Sequence, residues 1–279
     1  MENLDIAHLR KWIGREEISS ERLTCAITDR FNATFEHECG AKDGDVAPTM
    51  IHLCLANSVA PTASLAVDGH PHRGGFLPPV PLPRRMWAAG EFQFKDAILV
   101  GEMVTRRSVI RDVTVKHGRS GTLCFVAVEH QISSDDRSVL TERQDIVYRG
   151  IDGQDIAKNL PLAMPQGTQR MSVVPSQTLL FRYSALTFNS HRIHFDVLYA
   201  REIEGYRGLV VHGPMQATML VQFAENIQGT RPARFEFRSL SPLFDDAEFT
   251  LNAENDGEAL NLWTSYAAGP VAMQGRASW

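Results

Sequence analysis

Three histidines crowd one stretch of the chain. Residues 181–213 read FRYSALTFNSHRIHFDVLYAREIEGYRGLVVHG and hold His191, His194 and His212, three of the ten histidines in 279 residues. An imidazole titrates near neutral pH and moves a proton in either direction, so this segment can do acid–base chemistry. His212 and Gly213 open an apolar run that reads as a helix over 213–227. Backbone N–H groups at a helix start are unpaired and carry partial positive charge, and glycine lets an oxygen approach them closely. Holding an oxyanion is one use of Gly213. Helix entry or helix–sheet packing is the other, and on the residues alone the two are even. Pro214 suits the first helical turn, where no hydrogen bond is lost.

A metal is the competing chemistry. His191 and His194 stand three residues apart, and Asp196 or His212 could complete a ligand set. No further Cys/His cluster closes it, so no metal is expected, and His191 is read as orienting Asn189 or His194. Tyr183 precedes the histidines, Arg182 and Arg192 flank them, and Arg84 and Arg85 end a loop rich in Gly and Pro. Single arginines are usually solvated surface. Placed here, their planar forks could take phosphate or carboxylate.

The elements that must position these groups fall into two similar runs. Residues 17–35 read as a helix capped by Ser19 or Ser20, with Leu23, Ile27 and Phe31 on one face. Residues 69–83 form a loop that lines substrate or flexes; its His72-Arg73-Gly74-Gly75 lacks the strand-to-helix context of a phosphate loop. Strands follow at 87–95, 100–116, 120–133 and 138–148, and residues 151–178 read as a surface linker. A strand- and helix-like region at 179–206 and the 213–227 helix then precede strands at 232–240, 246–254, 258–267 and 270–276. Each half is helix first and antiparallel strands after, an α+β arrangement. The implied units are 1–150 and 179–279 with their sheets side by side.

Composition narrows the function classes. With 43 % apolar and 22 % charged residues the chain is globular, and a net charge of −5 gives no overall pull toward nucleic acid or anionic membrane. The N-terminal MENLDIAHLRKWIGREE has no apolar core, so no secretory signal is expected. The apolar stretch 208–224 is short for a span and carries His212, Gln216 and Gln222. Cys25, Cys39, Cys54 and Cys124 include no CxxC pair, which suits reduced thiols and a cytoplasmic setting.

The histidine segment resembles the signature of the MaoC-like, R-specific enoyl-CoA hydratases, Ser-Gly-Asp-x-Asn-Pro-Ile-His. Set on His194, the motif puts its isoleucine on Ile193, its proline on Arg192, its asparagine on His191 and its aspartate on Asn189. FRYSALTFNSHRIHFD, EGYRGLVVHGPMQATML and LPRRMWAAGEFQF are similar to the type-two hydroxyacyl-thioester dehydratases and the mesaconyl- and itaconyl-CoA hydratases over nearly the whole length. The resemblance implies a double hotdog, two antiparallel sheets each wrapping a central helix, with the first hotdog lacking the signature and lining the acyl pocket. It implies reversible hydration of a 2-enoyl-type CoA thioester, with His194 as acid/base and Gly213 N–H as oxyanion donor. It implies no cofactor beyond the CoA of the substrate, and a homodimer is compatible with it. Arg84, Arg85, Arg182, Tyr183, His191, Arg192 and His212 are then expected to bind substrate. The departure is Asn189, which cannot accept a proton and is expected to orient a water. The arginines point to a branched five-carbon dicarboxylic acyl group, with itaconyl- or mesaconyl-CoA giving citramalyl-CoA. A general 3-hydroxyacyl-thioester dehydratase, a hotdog thioesterase and a non-catalytic acyl-CoA-binding module are the alternatives.

Overall fold

The computed structural model describes residues 4–118, 121–150 and 163–279. In chain order the elements are α1 (Ile6–Leu9), β1 (Glu16–Arg22), α2 (Cys25–Thr34), a 3-10 turn at Ile51–Cys54, β2 (Arg84–Phe94), β3 (Met103–Gly118), β4 (Gly121–Ser134) and β5 (Arg137–Arg149). The second half has β6 (Gln169–Val173), α3 (Gln177–Leu186), 3-10 and π turns at Arg192–His194 and Tyr199–Ile203, α4 (Gly213–Gln228), β7 (Arg234–Ser239), β8 (Phe249–Asn255), β9 (Leu260–Ser265) and β10 (Val271–Ser278). The ten strands among the described residues join one antiparallel sheet in the order β1-β3-β4-β5-β2-β7-β10-β9-β8-β6. The order is a mirror about the β2–β7 seam: β1 answers to β6, β3 to β8, β4 to β9, β5 to β10 and β2 to β7.

The seam is a hydrogen-bonded ladder that pairs Ala89–Gln93 with Arg238–Arg234. Trp87, Phe92, Phe235 and Phe237 pack along it, with Trp87 edge-on to Phe237 at 5.2 Å and Phe92 stacked on Phe235 at 6.4 Å. Gly90 is required there, because a Cβ would lie 2.6 Å from the Phe237 ring.

The long helix is α4. Every residue from Met215 to Ala224 is buried, so it is covered on all sides by its sheet and neighbours. Its buried polar groups are satisfied. Gln216 Oε1 accepts from Thr264 Oγ1 at 2.8 Å, and Gln222 Nε2 donates to Thr49 O at 3.2 Å. Gly229, with a φ of +77°, closes its C-terminus. No helix among the described residues is long and apolar enough to cross a membrane.

Three expectations are corrected. Residues 17–35 are not one helix: Glu16–Arg22 is an edge strand paired with β3, and α2 starts after the Thr24 cap. Ser20 Oγ bonds Thr105 Oγ1 across that ladder at 2.8 Å instead of capping a helix. Sheet pairing overrode the local helical pattern. The surface linker expected at 151–178 contains β6, which pairs with β8; residues 151–162 lie outside the described residues. The two halves do not both carry a long central helix either. The position of α4 is taken in the first half by the buried turn Ile51–Cys54, bracketed by positive φ at Met50 and Ala56 and preceded by Pro48. The counterpart of α2 is α3, and the two pack on each other.

The seam generates a stability prediction. Phe92 is fully buried among the seam aromatics. Phe92→Ala should lower unfolding free energy by about 3–5 kcal/mol, read from urea unfolding midpoints, because the ring leaves a cavity between the halves.

Candidate active site

The catalytic segment is set by backbone bonds. Ser176 caps α3, whose end turns through Phe188 at positive φ. Asn189 N–H then donates to Ser184 O at 2.8 Å, and His191 N–H donates to Asn189 Oδ1 at 3.0 Å. The next turn carries His194. Its Nδ1 lies 2.7 Å from Val210 O. A carbonyl only accepts, so Nδ1 bears the proton and Nε2 keeps a lone pair. Burial pushes the His194 imidazole down to about 4, against the Val210 bond, which favours the charged form.

His212 stacks on His194 with ring centroids 3.6 Å apart and planes at 18°. Its Nε2 meets Ser184 Oγ at 2.8 Å, and the residue has no exposed surface. Burial and its histidine neighbours hold it neutral. Tyr183 is buried edge-on to His212 at 5.0 Å. His191 lies edge-on to His194 at 5.4 Å, and burial with the neighbouring His70 pushes it well down.

His194, Asn189, His191, Tyr183 and Gly213 all line one cavity of about 760 Å³ between the halves. Gly213 is the first residue of α4, with His212 as N-cap and no side-chain cap. No protein acceptor takes its N–H among the described residues. A Cβ at Gly213 would meet nothing nearer than 3.9 Å, so neither packing nor backbone strain demands glycine there. The first half supplies the facing walls, including His70, Phe76, Arg85, Trp87, Arg106 and His130.

The arginines separate. Arg85 lines this cavity and an adjoining one of about 550 Å³, and no carboxylate lies within 4 Å of it among the described residues. Arg84 lines the adjoining cavity and pairs with Glu204 at 3.2 Å. The expectation that Arg182 and Arg192 meet substrate is corrected: neither lines these cavities. Arg182 points to Ala33 O at 3.4 Å. Arg192 makes a two-armed pair with Asp196, at 2.8 and 3.1 Å, covers the Tyr199 ring and donates to Val67 O. It clamps a loop.

That loop holds groups the sequence reading passed over. Asp68 Oδ2 lies 3.0 Å from His70 Nδ1, and the His70 ring lies 4.1 Å from that of His191. Asp68, His70 and His191 offer ligand atoms within 4.8 Å of one another, the set among the described residues that could hold a cation. Of the metal set weighed from sequence, His194 gives Nδ1 to Val210 O, His212 gives Nε2 to Ser184 Oγ and Asp196 is paired with Arg192. Arg106 was missed too. It donates to Ala56 O at 2.7 Å and Asn57 Oδ1 at 3.3 Å beside the buried Ser108–His130 pair. The alternation of β3 was the available signal, since Arg106, Ser108 and Ile110 share one face.

A mirrored ten-stranded sheet with a buried helix, and a site built at the start of that helix, define a double hotdog of the MaoC-like hydratase type. A MaoC-like dehydratase from Phytophthora capsici superposes with a TM-score of 0.72 at 12 % identity, covering 99 % of both chains. A Mycobacterium tuberculosis protein described as having a double hotdog fold gives 0.59 at 12 % identity over 95 % of both. The chain belongs to the hydroxyacyl-thioester dehydratase type 2 family, whose model matches residues 49–245. It is 42 % identical to the mesaconyl-C(4)-CoA hydratase of Chloroflexus aurantiacus over 265 residues, 94 % of each chain.

Two outcomes are expected. In the unfolded chain a histidine titrates near 6.5, so between that pH and about 4 the unfolded state binds a proton that folded His194 refuses. Stability is therefore unaffected by this group above pH about 6.5 and falls below it. His194 alone should cost roughly 2 kcal/mol between pH 7.5 and 5, read from urea midpoints at the two values. Gly213→Ala should leave the melting temperature unchanged or slightly higher, since alanine favours helix. Its turnover should still fall, because the methyl stands where a substrate oxygen must approach. A drop in stability with full activity per folded molecule would assign Gly213 to packing.

Proposed function

We propose that the protein reversibly adds water to a 2-enoyl-CoA thioester bearing a second carboxylate, with mesaconyl-C4-CoA going to citramalyl-CoA. The observation that carries the reading is one cavity lined by an imidazole whose Nε2 has no partner, a helix-start N–H without a protein acceptor and a guanidinium with no carboxylate within 4 Å, all among the described residues. Hydration needs the first two, and a carboxylate on the acyl group calls for the third. His194 Nε2 takes a proton from water as the water oxygen bonds to the β-carbon. The double-bond electrons run to the thioester oxygen, which Gly213 N–H receives. His194 then returns its proton to the α-carbon. The thioester itself takes up the electrons, so no cofactor is needed.

Arg85 is the group for the acyl carboxylate. It stands near His70 and His191, where its charge opposes their protonation, so it is close to the reacting carbon. In mesaconyl-C4-CoA the free carboxylate sits on the β-carbon itself, and the double bond is conjugated with the thioester. In itaconyl-CoA the double bond is not conjugated, so its electrons cannot pass directly to the thioester oxygen. The conjugated acid is therefore the favoured substrate. The 42 % identity to a mesaconyl-C(4)-CoA hydratase supports the same choice.

Hydrolysis fits less well. A thioesterase would aim a carboxylate or its activated water at the carbonyl carbon, and the residue at the motif's aspartate position is Asn189. Mesaconyl-C4-CoA should be hydrated with no release of free thiol, followed by loss of enoyl absorbance and by mass. His194→Ala should lower turnover by about 10²–10⁴-fold with the fold intact. Arg85→Met should cost mesaconyl-C4-CoA at least about tenfold in kcat/KM and crotonyl-CoA much less, since a charge-assisted pair is lost only for the first. Equal losses for both would place Arg85 on a CoA phosphate. A wild-type preference for crotonyl-CoA would refute the dicarboxylate reading and favour a general 3-hydroxyacyl-thioester dehydratase.

A further inference from the structure

An attacking water keeps a lone pair for carbon and offers both of its O–H bonds. It is held best by two acceptors. His194 Nε2 is one. Asn189 is less suited to be the other, because its Oδ1 has one of its two lone pairs committed to the His191 N–H and its NH2 only donates. His191 lines the cavity, but no hydrogen bond fixes its tautomer among the described residues.

A second oriented imidazole comes from the first half. His70 lines the same cavity. Asp68 takes its Nδ1–H at 3.0 Å and its backbone N–H at 3.0 Å, so Nε2 is the lone-pair nitrogen. The loop is fastened to the catalytic segment at each residue around it. Arg192 N–H donates to Asp68 O at 2.9 Å, and Ser190 Oγ donates to Gly69 O at 2.5 Å. Gly69 lies so close that a Cβ would stand 1.9 Å from Ser190 O, and its φ is +90°.

We propose that His70, oriented by Asp68, is the second acceptor for the attacking water, a catalytic group that the signature-less half supplies. In the forward reaction one water proton passes to His194 and on to the α-carbon. The other stays on the oxygen, held by His70 Nε2, and becomes the product hydroxyl hydrogen. In dehydration His70 holds that same hydroxyl. The carboxylate on Asp68 keeps the imidazole in the accepting tautomer and strengthens Nε2 as an acceptor. The proposal rests on the hydration reading above.

The test uses the full-length protein and mesaconyl-C4-CoA, with crotonyl-CoA in parallel. His70→Ala should lower kcat about 100-fold with KM little changed, and added imidazole should restore part of the rate. Asp68→Asn keeps the side chain's shape and removes its charge. It should lower kcat and move the acidic limb of the pH–rate profile to lower pH, because the carboxylate favours protonation of His70. If His70→Ala does not fold, Asp68→Asn decides alone: unchanged kcat and an unchanged profile overturn the proposal. So does a folded His70→Ala within about threefold of wild type, or a loss that appears in His191→Ala instead. Wild-type activity abolished by a chelator and restored by zinc also overturns it, in favour of a cation at Asp68, His70 and His191. A wild type that hydrates neither thioester removes the hydration reading itself and this proposal with it, which separates the two failures.

Discussion

An antiparallel sheet that curves around a core must have its concave face filled. In the second half α4 fills it, with ten consecutive buried residues from Met215 to Ala224. In the first half the equivalent place holds the single turn Ile51–Cys54. The rest of that face borders the cavity between the halves. Strands β3, β4 and β5 accordingly turn Arg106, Ser108, His130 and Gln144 toward it. Under a packed helix, such groups would lose their water without replacement. Around a cavity they face the space a ligand would fill, or pair with one another as Ser108 and His130 do. The missing helix and the polar inner face are therefore one feature. Together they give a catalytic segment on one half something to face on the other.

Burial sets the protonation of the site. His194 and His212 stack at 3.6 Å, a spacing that two imidazolium ions could not hold in a buried place. Each gives one nitrogen to a fixed partner, Val210 O or Ser184 Oγ. Arg85 adds a positive charge that opposes protonation of His70 and His191. Asp68 works the other way. Burial alone would favour its neutral form, but the hydrogen bonds it accepts from the His70 ring and backbone hold it well below the ordinary carboxylate range. The site is thus a set of neutral imidazoles with two separate charges of opposite tendency, Arg85 and the His70-bound Asp68. An added anionic acyl group would meet Arg85 without having to displace a carboxylate from it.

Much of this was legible in the chain. The strands of both halves fall close to the expected segments, since alternation survives wherever one face is buried. The α4 start at His212-Gly213-Pro214 was legible because capping is local. What failed was non-local. EISSER reads as a helix start until β3 is there to pair with it. QRMSV reads as linker until β8 is beside it. Arg182 and Arg192 neighbour His194 in sequence, yet a helix face and the pair with Asp196 turn them elsewhere. His70 stands over a hundred residues from His191 and shares no motif with it, so only the docked loop brings the rings within 4.1 Å.

That docked loop also answers why so much Gly and Pro sits beside a site that needs rigidity. Residues 69–83 were expected to flex or line substrate, and among them are Gly69, Gly74, Gly75 and five prolines. The loop is tied at both ends. Arg192 holds Val67 O and Asp68 O at one end. At the other, the Arg73 guanidinium gathers the carbonyls of Val80, Leu82 and Pro83 and covers the Tyr148 ring. Proline restricts the backbone without offering an N–H to satisfy, and glycine lets Gly69 press against Ser190 O. A segment with no regular secondary structure can then place a side chain as firmly as a strand does. Such placement is what an imidazole needs if it is to meet a water already held by an imidazole from the other half.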